Sequence, residues 1–165
     1  MTIQQPKYPP PARSMTPRSA SQITDMVIHH TAGNPAQTPL EIDRQHRNQG
    51  WAMIGYNLLV DREGHVFWGR PILFVPSAVS GHNTPTLNIC LIGWFHPGHA
   101  LSQTTIPAKQ KKAFFEAAAL LHGQYPIVRT RGHRDYNATA CPGNVVYNML
   151  PELRAYLTER RVAAR

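Results

Sequence analysis

The sequence predicts a single α/β domain in which a central mixed β-sheet is flanked by helices. Three observations predict it. The chain has 165 residues, 42% of them apolar, enough for one ordinary hydrophobic core. Short β-branched runs alternate with longer segments of helical periodicity, the order that builds α/β layers. Two cysteines are too few for a disulfide scaffold at this length, and no segment repeats, so packed layers must supply the core.

Residues 1–22 are rich in Pro, Ser and Gln, with Pro9-Pro10-Pro11 in the middle, and read as an extended arm laid on the surface or left mobile. The domain proper is expected over 23–165. Ile23 to His30 is a strand ending in a His-His pair. Thr38 can N-cap a helix that has Pro39 at its first position and Glu41 completing a capping box, and Gly50 stops it. Ile54 to Val60 and His65 to Gly69 flank the turn Asp61-Arg62-Glu63-Gly64 and predict a hairpin. Arg70 to Asn88 reads as a long irregular stretch, of the kind that is usually functional. Ile89 to Trp94 is a central strand, with Cys90 as a small core residue. Residues from about 105 to Gln124 form a helix, with Lys109, Lys111 and Lys112 on one side and Phe114, Phe115, Ala118 and Leu121 on the other. Ile127 to Thr130 is a short strand, and a last helix from Val145 onward is expected to bend near Pro151.

Chemistry concentrates at two places. Val27-Ile28-His29-His30-Thr31 puts an imidazole at the end of an apolar strand. Gly132-His133 and Cys141-Pro142-Gly143 put a second imidazole and a thiol on one short loop. Two imidazoles and a thiolate form a three-ligand set for zinc, which leaves the fourth tetrahedral position open as catalytic sites do. His29 and His30 compete for one ligand position, because successive strand residues point to opposite faces. Strand ends are where ligands collect in open α/β sheets. His46, His65, His96, His99 and His122 read as surface, turn or helix residues without ligand roles.

Charge and hydropathy narrow the function classes. The formal net charge of +8 suits an anionic partner. No groove-reading or base-stacking motif supports a nucleic acid. No apolar run approaches the ~20 residues of a membrane span. The N-terminus has no apolar signal-like core, so synthesis in a cytoplasm without a signal peptide is expected.

The chain resembles the type 2 N-acetylmuramoyl-L-alanine amidases, zinc enzymes that share a fold with the peptidoglycan recognition proteins and include small phage endolysins. The resemblance rests on six motifs in order: Val27 to Gly33, Gly55-Tyr56-Asn57 with Trp51 before it, Gly64-His65-Val66 through Pro71, Gly81-His82-Asn83-Thr84, Ile89 to Gly93, and Gly132-His133-Arg134-Asp135 through Gly143. It implies His29, His133 and Cys141 as the Zn2+ ligands, Tyr56 and Thr139 as catalytic hydroxyls, and Trp51, Arg70, His82 and Asn83 along the substrate groove. The implied reaction is hydrolysis of the amide between N-acetylmuramic acid and L-alanine in peptidoglycan. The implied setting is a monomeric phage or prophage endolysin that reaches the cell wall after release, aided by electrostatic contact with an anionic envelope. A non-catalytic peptidoglycan-binding module and a cell-wall recycling amidase are the alternatives. One departure stands out: the stretch Pro76-Ser77-Ala78-Val79-Ser80 lacks the His many relatives carry before Gly-His-Asn, which bears on the edge of the groove and not on the metal.

Overall fold

Asp25–His30 (β2) lies one strand in from the edge of a six-stranded sheet, and its alternation sorts the molecule into two layers. The computed structural model describes residues 1–164. Along β2, Met26 and Ile28 join the larger core, while His29 faces the opposite side. The other strands are Ile3–Gln4 (β1), Leu58–Val60 (β3), Val66–Trp68 (β4), Thr86–Leu91 (β5) and Arg129–Gly132 (β6). They run in the order β1-β4-β3-β5-β2-β6. Only β3 and β4 pair antiparallel; the other pairings are parallel, so the sheet is mixed.

Three helices cover it: Pro39–Asn48 (α1), Ala108–Gln124 (α2) and Asn144–Ala163 (α3). One face packs Leu58, Val60, Leu87, Ile89 and Leu91 against Phe114 and Leu121 of α2 and Leu150 and Leu153 of α3. The other packs Leu59, Cys90 and Ile92 against Ile42 of α1 and Met53 and Ile54. The capping box at Thr38 forms as expected, with Thr38 Oγ1 accepting from the Glu41 amide and Glu41 accepting from the Thr38 amide. Helix α3 continues through Pro151. Residue 165 lies outside the described residues.

Several boundaries move from their expected places. The Tyr56 segment is not strand: β3 starts at Leu58, because the amides of Ile54 and Gly55 donate to Asp43 Oδ1 and His46 Nδ1 of α1 instead of to a neighbouring strand. Strand β5 starts at Thr86, earlier than expected, and ends at Leu91. Its polar residues Thr86 and Asn88 are fully buried. Beyond it the Trp94 amide donates to Gln103 Oε1, which turns the chain out of the sheet. Strand β6 runs to Gly132, which carries the chain directly into a 3-10 turn at His133–Asp135.

Residues 1–22 lie along the domain. Strand β1 adds to the β4 edge, and Tyr8 donates to the Trp68 carbonyl. Arg47 of α1 donates to the carbonyls of Pro9 and Pro10. Arg18 is only 6% exposed and donates to the carbonyls of Ile72, Thr84 and Thr86.

Candidate metal centre

The carboxyl ends of β2, β5 and β6 meet at one point, and His29, His133 and Cys141 converge there. Their ligand atoms all lie within 4.8 Å of one another. Cys141 Sγ is 3.6 Å from His29 Nδ1, and the two imidazole rings are 4.8 Å apart. Successive residues of β2 point to opposite faces of the sheet. His29 faces the cluster, whereas His30 turns to the other face, where its Nδ1 accepts the Phe95 amide.

Two asparagines fix which nitrogen each imidazole presents. Asn88 Oδ1 lies 2.8 Å from His29 Nε2, and Asn137 Oδ1 lies 2.9 Å from His133 Nε2. Each amide is itself oriented: Asn88 Nδ2 donates to Thr86, and Asn137 Nδ2 donates to the Ser80 and Tyr136 carbonyls. The oxygens must therefore face the rings and accept Nε2–H. That leaves a lone pair on Nδ1 of each histidine, and His29 Nδ1 faces Cys141 Sγ. Burial, reinforced by the nearby His133, pushes His29 down to about 3, and burial lowers His133. Both rings are thus neutral at pH 7, as metal ligands must be. Burial pushes the Cys141 thiol up to about 12, so a cation has to displace its proton.

The Cys141 loop is held from below. The Arg134 amide donates to the Cys141 carbonyl, and the Arg134 guanidinium donates to Asn144 Oδ1 and the Ala140 carbonyl. Thr139 Oγ1 accepts the Cys141 amide at 3.2 Å. Gly143, at φ +83°, begins α3 so close to the Phe95 carbonyl that any Cβ there would collide with it.

Tyr56 stands beside the cluster, its ring 5.1 Å from that of His29. Burial, with the Cys90 and Cys141 thiols, holds its phenol well above 10, so it is a proton donor at neutral pH. His46 positions it: the ring packs 5.3 Å from Tyr56 and 4.5 Å from Trp51, while Nδ1 accepts the Gly55 amide. Burial lowers His46 to about 4, which keeps that acceptor free. Gly55 is obligatory because a Cβ would run into the Ser77 carbonyl.

Two cavities adjoin at His133 and Thr139. One, of about 550 Å3, is lined by Trp51, Ser77 and Asn83. The other, of about 370 Å3, is lined by Tyr56, Trp94 and Cys141. Together they make a groove whose arms share His133 and Thr139, with Cys141 lining one arm and His29 buried beside it. Of the expected groove residues, Trp51 and Asn83 line it, although Asn83 Oδ1 also holds the amides of Ala78 and Val79. His82 is exposed and packs against Tyr136, outside both linings. Arg70 does not face the groove. It is 4% exposed, and its guanidinium is committed to the carbonyls of Ile54, Val75 and Met53. Asn88, Asn137, His46 and Arg134 were not singled out in the sequence for these positioning roles. Asn137, one helical turn after His133, carried a spacing signal for its role.

The fold is that of a mixed α/β sheet with a groove at its carboxyl edge, where His29, His133 and Cys141 could together hold a metal ion. The family model for N-acetylmuramoyl-L-alanine amidase matches residues 19–144, and the chain belongs to that family. The chain is 30% identical over 128 residues to the endolysin of Enterobacteria phage T3, covering 76% of this chain and 83% of that protein. It is 30% identical over 146 residues to peptidoglycan-recognition protein SC2 of Drosophila simulans, covering 82% and 78%. Among solved structures, N-acetylmuramoyl-L-alanine amidase LysC from Clostridium intestinale superposes with a TM-score of 0.75 at 29% identity, covering 93% of this chain and 98% of that one.

Proposed function

We propose that this protein hydrolyses the amide between the lactyl group of N-acetylmuramic acid and L-alanine in peptidoglycan, and that it does so as a zinc enzyme of the endolysin type. The observation that carries the proposal is the convergence of one thiol and one ring nitrogen from each of two imidazoles within 4.8 Å, beside an open groove. One sulfur and two nitrogens suit zinc over harder cations, and a three-residue set leaves a coordination position for chemistry.

When bound, zinc would supply Lewis acidity toward the scissile carbonyl and a lowered pKa for a water molecule. The remaining work falls to the chain. His29 and His133 stay neutral and are fixed in orientation by Asn88 and Asn137. The Tyr56 phenol keeps its proton, and in this reading it donates a hydrogen bond to the oxygen on which charge develops. Thr139 has its hydroxyl oxygen occupied by the Cys141 amide, and its O–H remains available to the groove. The groove walls align the glycan-peptide so that the reacting atoms meet, an entropic contribution.

The test is incubation of the zinc-loaded protein with purified sacculi, followed by identification of the new chain ends. Free L-alanine amino groups that vanish with chelator and return with zinc are expected. New reducing sugars, or lysis that persists in chelator, would overturn the proposal.

A further inference from the structure

Away from the groove, the cations of the two long helices are unequally paired. The lysines at the start of α2 meet carboxylates: Lys109 with Glu63, Lys111 with Glu152 and Lys112 with Glu116. Near the ends of α2 and α3 the cations have no such partners. Arg154, Arg160 and Arg161 are exposed, and none forms an ion pair among the described residues. Arg154 is aimed by one hydrogen bond, from Nε to the Thr130 carbonyl, and the Arg160 guanidinium lies 5.0 Å from the centre of the Tyr156 ring. Glu159 falls roughly 160° round the helix from Arg161, on its far side.

Two cavities open at these helix ends. One, of about 410 Å3, is lined by Arg154, Arg161, Val128 and Val162, and the other, of about 360 Å3, by Arg160, Arg161 and Gly123. They share His122, Leu157 and Arg161, so they form one concave surface, and no carboxylate lines either. Val128 and Val162 are 68% and 69% exposed, more than any other large apolar side chain among the described residues. Cations at helix C-termini complement the helix dipoles, but that explains neither the hollow nor the bare valines. The surface also lies at the opposite pole from the ligand cluster. Thr130, in its lining, is near the start of β6, which runs toward His133. Helix α3 begins at Asn144, just beyond Cys141, and carries the chain about 30 Å to Ala163.

The geometry points to a docking surface for an anionic phospholipid bilayer, formed by Arg154, Arg160, Arg161, Val128 and Val162, which holds the protein with its groove turned away from the lipid. Charge complementarity supplies the attraction, because unpaired guanidinium groups take headgroup phosphates bidentately. The valines decide between a membrane and a dissolved polyanion. A hydrated polyanion gives an apolar side chain nothing to be buried in, whereas the boundary between headgroups and acyl chains does. The inference goes beyond the amidase reading and uses no residue of the groove.

The test is co-sedimentation of the full chain with vesicles of phosphatidylcholine alone and of phosphatidylcholine mixed with phosphatidylglycerol. Binding to the anionic vesicles only is expected, and it should weaken as salt is raised. The double variant Arg160→Gln/Arg161→Gln removes no hydrogen bond and should weaken binding about 20- to 30-fold, from the usual worth of two basic residues at an anionic leaflet. Lys109→Gln/Lys112→Gln removes the same net charge elsewhere and should leave binding nearly unchanged. Val162→Ser should weaken it severalfold at unaltered charge. Circular dichroism checks that every variant is folded, and release of L-alanine amino groups from lipid-free sacculi should be equal in all of them. Three results would each overturn the inference. The first is no preference for the anionic vesicles. The second is an equal loss in the two double variants, which would mean diffuse charge and no site. The third is inorganic polyphosphate bound as tightly as the vesicles with Val162→Ser without effect, which would mean a polyanion site. None of these readouts requires turnover, so failure of the amidase reading would show separately, as sacculi left intact by the wild type.

Discussion

Two asparagine side chains decide which nitrogen each clustered ring leaves free, so a metal centre there would depend on residues that touch no ion. Asn137→Ala removes the acceptor for His133 Nε2–H, and zinc affinity is expected to fall about 10- to 100-fold, as when other outer partners of ligating histidines are lost. Competition against a chromophoric chelator measures this; unchanged affinity would remove the tautomer argument. Tyr56→Phe deletes a donor without disturbing the ligands. Turnover of sacculi should drop by about 10²–10³ at unaltered zinc content; equal turnover would leave Tyr56 without a chemical role. At this scale the sequence singled out the residues that cluster and was silent about their supports. His29, His133 and Cys141 carry chemistry in their residue types. The same types gave no hint that Arg70 is spent on three interior carbonyls, because a guanidinium looks alike whether it meets a substrate carboxylate or a backbone.

Between elements, β2 is clamped to β6 by charge. Asp25 accepts from Arg129 at 2.6 and 2.9 Å and from the Tyr136 hydroxyl at 2.7 Å. Burial alone would raise this carboxyl, but hydrogen bonds from Arg129, Thr24 and Tyr136 outweigh it and hold the group at about 2, below its ordinary 3.8. A depressed folded-state pKa stabilises above pH ~4, and that stability is lost as pH falls toward 2, a contribution on the order of 2 kcal/mol. Denaturant midpoints followed from pH 6 to pH 2 should therefore decline in that window, and Asp25→Asn should be less stable at pH 6 with a flatter acid limb. An identical acid limb in the variant would contradict the clamp. The elements most legible in the sequence were those with local signals, such as α1 with its capping box and the β3–β4 hairpin with its Asp-Arg-Glu-Gly turn. Strand β5 was legible only in part. Thr86 and Asn88 read as polar loop residues, yet they are buried because Arg18 and His29 need their oxygens. That demand arises only once distant segments meet.

Across the whole molecule, the His29, His133 and Cys141 cluster joins three parallel strands and the loop leading into α3, so an ion bound there should stabilise the entire fold. At zinc a thousandfold above Kd the stabilisation is about 4 kcal/mol, or roughly 10 °C in Tm for a chain of this size. Cys141→Ala should abolish the zinc-dependent part of Tm; a shift that survives would place the ion elsewhere. The α/β class and the mixed sheet followed from the alternation of strand and helix patterns. The path of residues 1–22 did not, since a Pro-rich segment has no periodicity to read, and its contacts come from Tyr8 and Arg18 meeting carbonyls far along the chain.

The most direct test of the central claim is zinc K-edge absorption spectroscopy on protein loaded with one equivalent of zinc. The account predicts a nearest shell with one sulfur and two imidazole nitrogens, and loss of the sulfur in Cys141→Ala. A shell without sulfur in the wild type, or a protein that takes up no zinc, would contradict it.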